Sequence, residues 1–227
     1  MSLSLLWLLP VIALFALAER LYRRTGSRAW AHPILLPTAV LILFFAFFPN
    51  AFEGFEQGTQ VLYTLLLAAV AALAVPLYRN LPILRANKVV IVAAIAGGSI
   101  TGVGSALGVT VLLGGDSGLL ASVVSKSVTT PIAISIADSI GASAPLAAAI
   151  VIVTGLVAAI FGPAILHRLG VDDDVAAGLA LGTAGHAIGM AEAIRRSEVM
   201  GATAAFAMAA NGLVTALLLP VLWRIFG

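Results

Sequence analysis

Long apolar runs separated by short polar clusters set the plan of this 227-residue chain. Residues 5–22 are apolar until Arg20, Arg23, Arg24 and Arg28 interrupt them. A second run covers Pro33 to Phe48, and Glu53 and Glu56 mark a loop after it. A third covers Thr59 to Tyr78 and ends at Arg79, Arg85 and Lys88. Val89 to Leu113 carries no charge, and a Gly-Gly-Asp turn follows at 114–116. Residues 118–140 are apolar around Lys126 and Thr130-Pro131, and an uncharged run from Ala144 to Leu166 is closed by His167 and Arg168. A Gly-rich stretch, 175–194, and a last run, Val199 to Trp223, complete the chain. The runs lack the alternation of barrel strands, and most approach the roughly 20 residues a helix needs to cross a bilayer. The pattern predicts an all-α, polytopic transmembrane protein in one domain, 1–227. About seven to eight membrane segments fit this length, with broken or re-entrant helices near 118–140 and 175–194.

Basic residues collect on the cytoplasmic side of helical membrane proteins. That rule places the N-terminus outside, Arg20 to Arg28 inside, Glu53 and Glu56 outside, and Arg79 to Lys88 inside. Two topologies are open after residue 116. A full crossing by 118–140 puts His167 and Arg168 outside; a re-entrant hairpin puts them inside, which the charge rule favours. The apolar start has no basic residue before it, so it reads as a retained first helix rather than a signal peptide. No Arg- and Ser-rich transit peptide precedes it, which favours a bacterial inner (plasma) membrane over a plastid.

Two echoes point to an internal repeat. Pro82 and Pro145, 63 residues apart, each precede an uncharged helix; Gly155…Pro163 recurs as Gly212…Pro220 at an offset of 57. Repeats of a broken element plus a long helix are a transporter pattern. Two further small-xxx-small pairs, Gly98/Gly102 and Gly104/Gly108, would let helices approach closely.

Composition narrows the class. The chain is 61% hydrophobic and 10% charged, against roughly 25% charged in soluble domains, so an ordinary soluble fold is excluded. The net charge of +2 comes from Arg in the connections and needs no nucleic acid to explain it. There is no Cys, so no disulfide, thiol chemistry or thiolate metal site is available. His32, His167 and His186 are far apart in sequence and form no H-x-x-x-H pattern, so neither metal nor cofactor is expected. Ser127, Asp138 and His186 can be written as a triad, but no G-x-S-x-G elbow accompanies them, and the chain does not read as an enzyme.

Lys126 carries the sharpest functional signal. A Lys at membrane depth is costly unless it faces a cavity or a partner. Thr130-Pro131 after it reads as an N-cap followed by a Pro at the first helical position. A helix starting there would turn free N–H groups toward Lys126, Ser127 and Thr129, making a site for a small carboxylate. The competing reading is a snorkelling Lys beside a plain kink.

A second constellation lies at 178–192. On a helix, Gly178, Gly182, Gly185 and Gly189 form one stripe that Glu192 continues, flanked by Thr183 and His186. So many glycines imply either close packing or an unwound, hinge-like stretch. His186 is a candidate for carboxylate binding or proton coupling, with Glu192 and Asp138 as further proton-coupling candidates. The plainer reading is a packing groove around a satisfied His. Asn211, inside the last run, fits interhelical packing, and Asp172 to Asp174 fit a solvated helix start.

The segments Lys126-Ser127-Val128-Thr129-Thr130-Pro131-Ile132-Ala133 and Gly178-Leu-Ala-Leu-Gly-Thr-Ala-Gly-His-Ala-Ile-Gly189 resemble the LrgB/CidB family. Thr154-Gly155…Phe161-Gly162-Pro163 and Ala74-Val75-Pro76-Leu77-Tyr78 match its pattern too, so the resemblance covers most of the chain. It departs at Ser125, where the family often has Pro, at Gly185 (Ser or Ala), at Met190 (Thr) and at Ala68 (Pro). The loss at Ala68 leaves the third run less clearly broken. The resemblance implies either of two roles. One is antiholin-like control of murein hydrolase activity and lysis beside a small holin-like LrgA/CidA-type subunit. The other is carboxylate transport, as in the plastid glycolate/glycerate translocator and in members linked to pyruvate uptake. The anion site argued from Lys126 agrees with transport. The expectation is therefore a transporter of small monocarboxylates, of the glycolate, glycerate or pyruvate type, forming a homo-oligomer. Lys126, Ser127, Thr129, Thr130, Pro131, Thr183 and His186 would bind the carboxylate.

Overall fold

The computed structural model describes residues 6–26, 31–72, 74–79 and 81–226. Leu5 and Arg28, named above in the first helix and its basic cluster, lie outside the described residues. The described residues are helical and contain no strand. They form two compact units, Met1–Ala74 and Val75–Gly227.

In the first unit, α1 (Leu8–Arg24) follows the first apolar run and ends where Thr25 bonds back to the Leu21 carbonyl. The second run is not one straight span. Helix α2 (Leu35–Phe47) has 13 residues, and the chain bends by 116° at a short 3-10 turn, Pro49–Ala51, before α3 (Phe52–Ala72). Pro49 supplies no N–H and pushes Phe48 out of helical geometry (φ −127°, ψ 62°). The loop expected at Glu53 and Glu56 is instead the start of α3, with Glu53 in its first turn beside the positive end of the helix dipole. Trp7, Phe44, Phe45 and Phe55 pack edge-on and tilted around the bend. The third predicted run falls on α3 and on α4 (Ala74–Arg79), with residue 73 outside the described residues, and α5 (Leu81–Ala86) leads into the next helix.

Three helices of the second unit are long and apolar enough to cross a membrane: α6 (Lys88–Leu112), α9 (Ala144–Arg168) and α11 (Glu198–Phe226). Their large side chains, among them Val92, Ile100, Val153, Leu217 and Val221, are exposed, while Ala147, Ala202, Ala204 and Ala207 are buried. Small residues inside and bulky apolar residues outside suit helices that pack in lipid.

The segments between these helices double back. Helix α10 (Asp174–Arg196) breaks at His186, whose backbone (φ 42°, ψ −130°) is not helical. Past the break the chain returns: Gly189 comes against the Leu181 carbonyl, and the Ser197 hydroxyl reaches the Asp174 carboxylate at the start of the same element. Each arm of this hairpin spans at most about 18 Å, well short of a bilayer core of about 30 Å. Its first arm runs parallel to α6, since Gly98 faces Thr183 and Leu179 packs with Ile91 and Ile95. Helix α9 runs the other way, with Ala158 at Gly185 and Gly162 at Leu181. The C-terminus of α9 and both ends of α10 therefore lie on the face where α6 begins.

It follows that residues 113–143 start and finish on the opposite face. Helix α7 (Ser117–Val123), capped by Asp116 on the Leu119 N–H, climbs from the Gly114–Gly115 turn. The chain passes Gly102, in the middle of α6, at Lys126 and Ser127. Helix α8 (Thr130–Ile140) then descends, starting beside Gly212 of α11 and reaching the cluster that holds Leu219, Trp223 and Leu107. This is the re-entrant alternative at 118–140, and it places His167 and Arg168 on the same face as Lys88. Two re-entrant hairpins, rather than two further crossings, account for the apolar runs at 118–140 and 175–194.

A long helix followed by a hairpin thus occurs twice with opposite direction, α6 with α7–α8 and α9 with α10. The helices start at Lys88 and Ala144 and the hairpins at Ser117 and Asp174, offsets of 56 and 57 residues. The sequence echo at 57 has this length but joins α9 to α11 rather than the two helix–hairpin units, and the one at 63 joins α5 to α9, so neither echo marks this repeat. Inverted pairs of this kind bring broken elements together near the bilayer midplane.

Candidate functional site

A cavity of about 480 Å³ lies between α6, the α7–α8 link and the first arm of α10. Asn87 and Asp173, at the starts of α6 and α10, lie at its mouth. Its inner end holds Gly98, Gly102, Lys126, Ser127 and Thr183. Gly102 is the fifteenth residue of a 25-residue helix, so this end sits near half-depth. The cavity is a funnel from the Lys88 face to the middle of the unit. Val124, Val128, Ala133, Ile136, Val151 and Leu219 form a separate buried apolar cluster that does not line it.

Lys126 is half-buried, and its ammonium donates to the Ser127 hydroxyl at 3.2 Å. It has no carboxylate partner among the described residues. A Cβ added at Gly102 would stand 3.7 Å from Ser127 Oγ and 3.8 Å from Lys126 Nζ, so the missing side chain is what leaves room beside the cation. Thr183 faces Gly98, and its buried Oγ1 has no hydrogen-bond partner. The site therefore gathers the Lys126 ammonium and the Ser127 hydroxyl, with Thr183 in its wall, around a space that accommodates a small anion.

The helix that was expected to provide free amides is displaced by one residue from the predicted cap. Thr129, with extended backbone (φ −71°, ψ 152°), holds the cap position of α8, while Thr130 and Pro131 are its first two residues. The Thr129 hydroxyl makes no capping bond. None of these three lines the cavity; of the seven residues expected to bind the carboxylate, Lys126, Ser127 and Thr183 do.

His186 is also turned away. Its ring packs on Gly155 of α9, its Nε2 lies 3.0 Å from the Val151 carbonyl, and its buried Nδ1 is unpartnered. Glu192 does not continue a stripe toward it. That carboxylate accepts from Arg196 at 2.8 Å and lies 3.8 Å from Arg195. Asp138 is exposed on α8. Ser127, Asp138 and His186 share no hydrogen bond with one another. The single glycine stripe is divided by the break at His186: Gly178 and Gly182 meet α11 at Met200, Thr203 and Ala204, Gly185 meets Ala158 of α9, and Gly189 meets the first arm. A straight-helix projection cannot anticipate this, because the periodicity stops where the backbone leaves the helix.

Asn211 joins the two breaks. Its Nδ2 donates to the Ser127 carbonyl at 2.8 Å and to the Thr183 carbonyl at 3.4 Å, while its Oδ1 faces the Ser99 and Thr215 hydroxyls. Ser99 and Thr215 escape a reading for chemistry because each also looks like an ordinary helix residue bonding within its own turn.

The backbone at His186 gives a stability prediction. A non-Gly residue at φ 42° pays for a conformation that glycine adopts freely. Replacing His186 with Ala removes the ring and its bond to Val151 but keeps the strained backbone; replacing it with Gly removes both. The Gly variant is expected to be more stable than the Ala variant by about 1 kcal/mol. Thermal unfolding of the two in detergent checks this, and the reverse order would rule out a backbone cost at the break.

These features define a helical, multi-pass membrane protein built on opposed re-entrant hairpins with a funnel that ends at Lys126. The chain belongs to the LrgB-like family, which it matches over residues 11–225. It is 30% identical over 222 residues to the uncharacterized protein YwbG of Bacillus subtilis, covering 98% of both chains. It is 32% identical over 195 residues to the antiholin-like protein LrgB of Bacillus mycoides, covering 86% of this chain and 85% of that one. The antiholin-like protein LrgB of Bacillus cereus is equally similar. No solved structure matches the chain.

Proposed function

We propose that the funnel binds a small monocarboxylate and that the chain carries it across a bacterial inner membrane, with no enzymatic step and no cofactor. The observation that carries this reading is the Lys126 ammonium, which lines the cavity at half-depth and is paired with no carboxylate among the described residues, Asp173 standing at the far, outer end. An unpaired cation there is costly unless a ligand anion completes it. Glycolate, glycerate and pyruvate would pair a carboxylate with the Lys126 charge and a second oxygen with the Ser127 hydroxyl. The N-terminus would lie outside, and the chain would act as a homo-oligomer.

A second reading is favoured by the relatives' names. Antiholin-like proteins of Bacillus support a regulator of murein hydrolase activity and lysis, working with a small holin-like LrgA/CidA-type subunit. Those names back lysis control better than they back transport; the cavity is what favours transport. Uptake of labelled glycolate, pyruvate and lactate into proteoliposomes separates the two. Saturable uptake by this chain alone supports the transporter. Absence of uptake, both alone and with the holin-like subunit added, would move the assignment to lysis control.

A further inference from the structure

We infer that Asn211 is a positioning residue for the Lys126 site, clamping the tips of both hairpins to α11 through one side chain. The inference rests on the carboxylate reading and deepens it. Broken helices leave backbone carbonyls without intrahelical donors, and such groups need partners when buried. The Ser127 and Thr183 carbonyls belong to different hairpins that enter from opposite faces, yet both accept from the same Asn211 amide. Ser127 and Thr183 are also two of the polar residues lining the funnel. The other end of the amide faces Ser99 of α6 and Thr215 of α11, so its orientation is fixed by its neighbours: hydroxyls meet Oδ1, and carbonyls meet Nδ2.

Asn211 is 1% exposed and lies near the middle of α11, level with the site. No other described side chain donates to both carbonyls. The spacing between the Lys126–Ser127 wall and the Thr183 wall is therefore set by α11, which itself contributes no side chain to the cavity lining. A displacement of either hairpin must break or stretch one of these two bonds, so the tips move together or the clamp opens. The clamp is distinct from the buried apolar cluster of Val124, Val128, Ala133, Ile136, Val151 and Leu219.

Asn211→Asp keeps an acceptor for Ser99 and Thr215 but presents a carboxylate oxygen to the two carbonyls. The expected result is a half-saturation concentration for carboxylate uptake at least tenfold higher than wild type. A merely structural defect would lower the maximal rate by reducing folded protein and leave half-saturation unchanged. The natural chain has no Cys, so spin labels at Ser135→Cys on α8 and Ala191→Cys on the second arm of α10 report the distance between the hairpins. That distance distribution is expected to broaden in the Asn211→Asp background. Half-saturation within twofold of wild type overturns the proposal, whether or not the distribution broadens. If Asn211→Asp does not fold, Ser99→Ala takes its place, with a smaller shift in the same direction expected and no shift overturning the clamp. A wild-type protein that transports none of the acids would retire the carboxylate reading instead; the labels alone would then decide the clamp, an unchanged distribution overturning it.

Discussion

Replacing Lys126 with Ala is expected to raise the half-saturation concentration for carboxylate by about thirtyfold to several thousandfold while leaving the protein at least as stable. The two halves of that result have one cause. Removing one partner of a buried, hydrogen-bonded charge pair costs about 2–5 kcal/mol of binding, and Lys126 is the one cation among the described residues lining the funnel. Without ligand, the same ammonium has only the Ser127 hydroxyl as a partner, at 3.2 Å. A Lys near the bilayer centre costs roughly 2.5–3.5 kcal/mol on insertion scales, so its loss should not weaken the fold. Uptake kinetics in proteoliposomes and thermal unfolding in detergent, run on the same preparation, check both halves. Unchanged uptake would sink the site. Lost uptake with a large fall in stability would show that Lys126 holds the structure together and says nothing of a substrate.

Gly182→Ala should be the most damaging of the small substitutions. The added Cβ would overlap the carbonyl oxygen of Ala204 and come within 2.7 Å of its Cα. Both are backbone atoms of α11, so no side chain can rotate aside, and α10 must separate from α11. Overpacking a tight interface costs about 1–3 kcal/mol, occasionally more, and at this chain length that corresponds to a melting temperature lower by about 2–12 °C. Gly104→Ala is the matched control. Nothing lies within 4 Å of a Cβ added there, so helix propensity alone acts and the effect should be neutral or mildly stabilising. Equal losses at the two positions would mean that the α10–α11 contact is not as close as described.

The class of this protein is legible in its residues alone. Apolar runs with few charges admit only membrane helices, and Val89 to Leu113, Ala144 to Leu166 and Val199 to Trp223 coincide with α6, α9 and α11 because burial in lipid requires every backbone group to be paired within the helix. Lys126 and the break at Thr130-Pro131 were legible too, since charge and Pro act locally. Where the breaks lead is set by packing between elements. Whether 118–140 crosses or returns depends on which face of α6 and α9 it meets, and its apolar composition suits either course. His186 carries the same constraint: its side chain signals chemistry, but the positive φ at that residue reverses the chain, splits the glycine stripe and turns the imidazole toward Val151. The role of Asn211 depends on carbonyls 84 and 28 residues away, one from each hairpin. Such pairings are set by the packing of five helical elements, and hydrophobic periodicity records only which face of each is buried, not which neighbour covers it.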